Sequence, residues 1–182
     1  ITGSWNVGTG ELTLSGSATL AQYETALRSV TYQNTSGNPS TGTRTVSFNV
    51  SDGDDASNTQ TRDIDFTTVN DAPVNTVPSA QTVDEDTSIS ITGISINDVD
   101  DNLATTQLSV TNGDLNVDLT GGATISSGAN DSSSLTLSGT QAQINAALAT
   151  VAYQGTLNYN GGDTLTVLST DSDGTPLTAD AY

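Results

Sequence analysis

Carboxylates recur in this chain at spacings that suit a hard cation. They fall in four short clusters, Asp52-Gly53-Asp54-Asp55, Asp84-Glu85-Asp86, Asp98-Val99-Asp100-Asp101 and Asp171-Ser172-Asp173-Gly174, with Asn70-Asp71-Ala72-Pro73 between the first two. Two carboxylates about 4 Å apart at a surface-like dielectric repel by about 4 kcal/mol, so such clusters call for a positive partner. The chain supplies few, with 3 Lys and Arg against 21 Asp and Glu and a formal net charge of −18. Calcium (Ca2+) is the best outside candidate, because it takes roughly six to eight hard oxygen ligands and uses Asp-x-Asp spacing in loops. Only Glu11, Glu24 and Glu85 are Glu. Acidity needed for solubility alone has no reason to avoid Glu, whereas a short side chain in a tight loop suits coordination.

The same composition excludes several chemistries. Cys, Met and His are absent, which removes thiolate and imidazole metal sites, Cys nucleophiles and His-based acid-base work. A pI near 4.1 disfavours nucleic acid and anionic membrane, both of which need a basic face. No run approaches the roughly 20 apolar residues of a membrane helix, and no charged segment precedes an apolar stretch at Ile1, so no membrane insertion is expected. Without an initial Met, the chain reads as an internal piece of a longer protein.

The elements that would position the acids come in repeats. Leu12-Thr-Leu14-Ser-Gly16 recurs as Leu135-Thr-Leu137-Ser-Gly139. Ala26-Leu27-Arg28-Ser29-Val30-Thr31-Tyr32-Gln33 recurs as Ala147-Leu148-Ala149-Thr150-Val151-Ala152-Tyr153-Gln154, and both Tyr32 to Tyr153 and Asp52 to Asp173 span 121 positions. Equal offsets at distant landmarks indicate a repeated module. Thr43–Val50 and Ser88–Thr92 alternate apolar with polar residues and are rich in Thr, Val and Ile, as half-buried strands are. The parity change at Gly93 predicts a bulge, and Thr111-Asn-Gly-Asp114 predicts a hairpin turn. Leu20, Tyr23 and Leu27, and again Ile144, Ala147 and Leu148, fall at helical spacing, so each module is expected to carry one short amphipathic helix. The expected fold is all-β, with tandem Greek-key β-sandwich modules of cadherin or immunoglobulin type, each with one short helix between strands. Residues 1–70 form the C-terminal part of one repeat, 71–77 a calcium-binding linker, and 78–182 a second repeat whose last strand is incomplete.

Strand counting then assigns the acids to poles. A strand rises about 3.3 Å per residue, so ten or so residues cross a sandwich. The strand up to Asp84-Glu85-Asp86 leads away from the linker, Thr87–Asn97 returns to it, and Thr164–Thr170 also runs toward it. Asn70, Asp71, Asp98, Asp100, Asp101, Asp171 and Asp173 are therefore expected to meet at one junction and to ligate calcium. Asp52 and Glu85 fall at opposite poles, as ligands for junctions with other modules. The alternative is that Asp, Asn and Gly are there only as turn formers.

Val69-Asn70-Asp71-Ala72-Pro73, Val83-Asp84-Glu85-Asp86-Thr87, Asn97-Asp98-Val99-Asp100 and Asp171-Ser-Asp173-Gly-Thr-Pro176-Leu177-Thr178 together resemble the cadherin-like tandem repeats of large bacterial surface proteins, including adhesins of the type I secretion route. The resemblance implies calcium between consecutive domains, a stiff array, an extracellular place on the bacterial cell surface, and a role in adhesion or biofilm formation. The helix between strands and Ala72 depart from the pattern. On this reading the chain is a calcium-rigidified extender whose partners are the neighbouring repeats of the same protein. Three rivals stand beside it. A carbohydrate-binding module would want aromatic platforms, but Trp5 is the one Trp, and Tyr23, Tyr32 and Tyr153 have core roles. A glycosidase-like enzyme would set one distinctive acid and base in a cleft, whereas these acids recur in loops, so no enzymatic activity is expected. A subunit of an assembled filament would take its missing strands from another copy.

Overall fold

The structure is a computed structural model that describes residues 1–174 and 180–181. The protein is all-β apart from two short helices, and it forms two compact units, Ile1–Ser36 and Gly37–Tyr182. The Pro176-Leu177-Thr178 stretch of the last acidic loop, and Tyr182 at the end of the second repeat, lie outside the described residues.

In the first unit β1 (Thr2–Asn6) pairs antiparallel with β2 (Glu11–Ser15), Trp5 opposite Leu12, and α1 (Leu20–Arg28) follows. The helix starts where it does because Thr19 and Gln22 form a capping box: each side chain takes up a backbone N–H of the other's residue. The same Thr-x-x-Gln box, Thr140 with Gln143, opens α2 (Gln141–Leu148) of the second unit. What differs is the cover. Leu12 is 41% exposed and Leu27 37%, whereas their repeat counterparts Leu135 and Leu148 are fully buried. Full burial of a leucine side chain contributes about 1.5 to 3 kcal/mol.

The second unit opens with the hairpin β3 (Arg44–Phe48) and β4 (Gln60–Ile64). There follow β5 (Val74–Thr76), β6 (Ser88–Ser90), β7 (Ser95–Asn97), β8 (Leu103–Ser109), β9 (Gly113–Asn116), β10 (Thr124–Gly128), β11 (Ser134–Ser138), then α2, β12 (Ala152–Gly155), β13 (Thr166–Asp171) and β14 (Asp180–Ala181). They form a five-stranded sheet of order β10-β11-β8-β13-β14, a three-stranded sheet of order β6-β12-β9, and the pair β5-β7. One apolar core joins them, with Leu108, Leu135, Leu137 and Val167 from the large sheet, Leu115 from the small one and Ile144, Ala147 and Leu148 from α2. Edge strand β10 carries a register irregularity between Ile125 and Ser127.

Two turn expectations change in kind. At Gly93 (φ +93°) the chain does more than bulge, because β6 pairs with β12 while β7 pairs with β5. The left-handed glycine lets Ile91 and Ile94 both point into the core while the strand changes partner. Thr111-Asn-Gly-Asp114 likewise joins β8 to β9 in different sheets and is a corner, not a hairpin. The Asp163 carboxylate fixes it, accepting from the N–H of Thr111 (3.1 Å) and of Asn112 (2.9 Å). At Gly113 a Cβ would lie 2.5 Å from the Gln154 carbonyl and the Tyr153 ring, so only glycine fits.

Helix α2 is tied to β7 by Asn145, whose Oδ1 accepts from the Ile96 N–H (2.8 Å) and whose Nδ2 donates to the Ile96 carbonyl (2.9 Å). Asn145→Ala strips both partners from a backbone unit whose side chain is 3% exposed. We expect a loss of about 2 to 3 kcal/mol in urea unfolding, with faster amide exchange at Ile96.

Candidate functional site, a hydrogen-bonded acidic pole

The end of β7 and the turn after it are held by α2. The Gln141 side chain at the start of the helix accepts the Asp98 N–H (2.6 Å), and Asp98 Oδ1 accepts the Asp100 N–H (3.0 Å), closing an Asx turn. Asp101 then takes a left-handed conformation (φ +57°), and the chain turns into β8. On the neighbouring strand, β13 ends at Asp171, whose Oδ1 accepts the Asp173 N–H (3.0 Å). Both loops thus spend an Asp oxygen on their own backbone, and both deliver carboxylates to the same end of the unit.

The segment entering from β4 lies across this end. Asn70 Nδ2 donates to Asp171 Oδ2 (2.9 Å), Asn70 Oδ1 accepts from Asn102 Nδ2 (2.7 Å), and the Asp71 N–H donates to Asp100 Oδ2 (2.6 Å). Pro73 next to them is buried. Two residues on, Asn75 Nδ2 donates to the Val167 carbonyl (3.3 Å), and its Oδ1 accepts from the buried Ser169 hydroxyl (2.6 Å), which also shares a hydrogen bond with buried Thr106 (3.2 Å). Asn38 Nδ2 reaches the Asp100 carbonyl (3.1 Å). The entering segment is thus clasped by two elements, the Asp100–Asn102 turn and strand β13 with its end at Asp171.

The electrostatics of the pole centre on Asp98, which is 3% exposed. Burial pushes its carboxyl above the ordinary value. The Asp100 N–H pulls the other way, and the negative charges of Asp100, Asp171 and Asp101 add to the rise. Asp98 Oδ2 and Asn102 Oδ1 are buried without a hydrogen-bond partner among the described residues.

Five of the expected ligands, Asn70, Asp71, Asp98, Asp100 and Asp171, meet at this pole. Asp101 and Asp173 border it with exposed side chains. Glu85 lies away from it, exposed in the loop before β6. Asp52 sits in the β3–β4 loop, where its Oδ1 accepts the N–H groups of Asp54 and Asp55 (both 3.1 Å), and these bonds, that of Asp55 first, lower its carboxyl. Among the described residues no group of three or more acidic side chains is arranged to hold a metal ion, which corrects the metal-binding expectation. Oxygens of Asp98, Asp100 and Asp171 already accept protein N–H groups. The preference for Asp over Glu has the same explanation, because only the shorter side chain reaches the N–H two residues on. Sequence reading centred on acids passed over the neutral partners Asn75, Asn102 and Gln141. Their signal was present as amides at the edges of apolar runs.

At another loop cluster, Asp163 gathers four donors: the N–H groups of Thr111, Asn112 and Thr164 (2.8 Å) and the Tyr153 hydroxyl (3.0 Å). Burial alone would raise Asp163, but the hydrogen bonds outweigh it and hold the carboxyl below its ordinary value. Tyr153 is pushed up to about 12, first by burial and then by Asp163.

These shifts have opposite signs. Asp163, lowered, contributes stability that is present above about pH 4 and is lost as pH falls through its depressed value. Asp98, raised, contributes stability that is complete below about pH 4 and is lost as pH rises through its elevated value. Asp163→Asn is therefore expected to cost about 3 kcal/mol at pH 7 and to flatten the acid limb of the stability profile. Asp98→Asn is expected to gain about 1 kcal/mol at pH 7 by removing a buried charge. Urea unfolding at several pH values, in EDTA so that no divalent ion screens the carboxylates, reads both.

The pattern defining the Protein GAMETE EXPRESSED 2 domain family matches residues 84–178, a little over half of the chain. Neither a curated protein nor a solved structure matches it. The match spans β6 to β13, with the Asp98 turn and the Asp171 loop. It overturns the identification as a cadherin-like repeat of a bacterial adhesin, and with it the biofilm and calcium-extender function. That resemblance rested on Asn, Asp, Pro and Gly at turns, and here two of those residues, Asp98 and Asp171, close Asx turns by accepting backbone N–H groups. The chain belongs to the Protein GAMETE EXPRESSED 2 domain family.

Proposed function

We propose that the chain is a non-catalytic connecting module of a gamete-expressed protein. Its second unit reads as a Greek-key β-sandwich that receives the chain at its acidic pole and grips it. The observation that carries this reading is the clasp: Asn70, Asp71 and Asn75, all in one entering segment, hydrogen-bond to the Asp100 and Asn102 loop, to Asp171 and to β13. A flexible linker would leave these backbone and amide groups to water. Here pull or torque arriving along the chain is passed into β13 and so into the largest sheet. The partners are modules of the same kind along the parent chain, as the internal repeat suggests, and the compartment is extracellular. The family name supports the gamete setting. The absence of His and Cys supports a role without catalysis.

Pulling the chain in an optical trap tests the reading. Residues 70–76 are expected to detach only in the same cooperative event that opens the large sheet. In Asn70→Ala/Asp100→Ala they release first, at lower force, with equilibrium stability reduced by about 2 kcal/mol. An early, separate release in the unmodified chain would remove the proposal.

A further inference from the structure

A cleft of about 510 Å³ opens in the second unit between the loop before β6 and the loop joining β12 to β13. That volume lies within the range of small-ligand and side-chain pockets. Its floor is apolar, with Ile91 5% exposed and Leu165 3% exposed, half-buried Ile89 beside them and the Tyr153 ring. The polar groups at the floor are occupied with each other. Tyr153 donates to Asp163, and the other acceptor positions of Asp163 are filled by backbone N–H groups. The two walls are locked together, because the Asn158 N–H donates to Asp86 Oδ1 (2.8 Å), and both residues take left-handed backbone conformations (φ +60° and +62°). The cleft therefore needs no closure to form.

One wall carries Asp84 and Glu85, both exposed, whose carboxylates have no hydrogen-bond or ion-pair partner among the described residues, although the Asp84 carbonyl accepts from Thr87. The opposite wall carries the aromatic ring of Tyr159, whose hydroxyl is turned to the Gly162 carbonyl (2.9 Å). No Lys, Arg or His occurs anywhere in residues 65–182. None of the chain's three arginines lines this cleft, so its carboxylates face no positive charge from the residues that form it.

We propose that this cleft docks an extended, lysine- or arginine-bearing segment of a partner protein. The apolar stem of the basic side chain lies on Ile89 and Ile91, and its charge sits between Asp84, Glu85 and the Tyr159 face. Long basic side chains combine these needs, with an aliphatic stem for apolar surface and a cation for carboxylates and aromatic faces. An acidic or purely apolar segment would leave Asp84 and Glu85 repelled or desolvated.

The test is titration of the isotope-labelled chain with Ac-Val-Lys-Val-Lys-Val-NH2 and its glutamine counterpart Ac-Val-Gln-Val-Gln-Val-NH2, followed by amide and methyl NMR shifts. The lysine peptide is expected to move signals of Ile89, Ile91, Tyr153 and Tyr159, with affinity falling at least about fivefold in Asp84→Asn/Glu85→Gln and falling further with salt. These exposed substitutions leave the core untouched. A second variant, Ile89→Ala, should weaken binding without changing its salt dependence. Equal binding of the glutamine peptide, shifts scattered over the other acidic loops, or no binding at millimolar peptide would each overturn the proposal.

Discussion

Carboxylates with no basic side chain beside them in the sequence are the constraint around which the second unit is organised from β5 onward. From residue 65 onward the chain carries no basic side chain, so its acids can be stabilised from within only by dipoles, and the abundant ones are backbone N–H groups. Asp163 takes three of them, Asp98 and Asp171 one each, and Asp100 one from the entering segment. Each such bond fixes a loop as well as a charge. Acidity and loop order are here the same thing. The arrangement also sets the direction of each titration: where donors are many the carboxyl is lowered, and where burial prevails, as at Asp98, it is raised.

The positioning hierarchy runs through amides. Asn145 and Gln141 hold β7 and the Asp98 turn to α2, and α2 is itself held by the capping box and by three buried apolar side chains. Asn70 and Asn75 hold the entering segment to the end and the middle of β13. Amides suit this task because each offers both a donor and an acceptor, and so can bond a strand's N–H and C=O together, or join a carboxylate to another amide.

Much of this was legible in the residues. The 121-residue repeat appears in the structure as two identical helix caps, and the Ile144, Ala147 and Leu148 spacing appears as the buried face of α2. Strand counting brought Asp98 and Asp171 together because an antiparallel strand of known length must end where its neighbour begins. The sheet assignments were not legible. Gly93 and Asn112-Gly113 read as a bulge and a hairpin because local turn chemistry does not reveal whether the next strand keeps its partner. Nor does an Asp-x-Asp spacing separate a cation's ligand from an Asx turn, since both place an oxygen toward a tight loop, and only the positions of the N–H donors distinguish them.

The irregular register in β10 bears on how this chain behaves in company. A sheet edge offers a row of free N–H and C=O groups, and a flat edge strand would invite the same strand of another molecule. Between Ile125 and Ser127 the β10–β11 ladder skips, and at Gly128 the backbone is left-handed (φ +73°), so the outer row of donors and acceptors is broken into short, misaligned pieces. Together with a net charge of −18, which makes copies of the chain repel, this edge is a poor template for pairing with the same strand of another molecule.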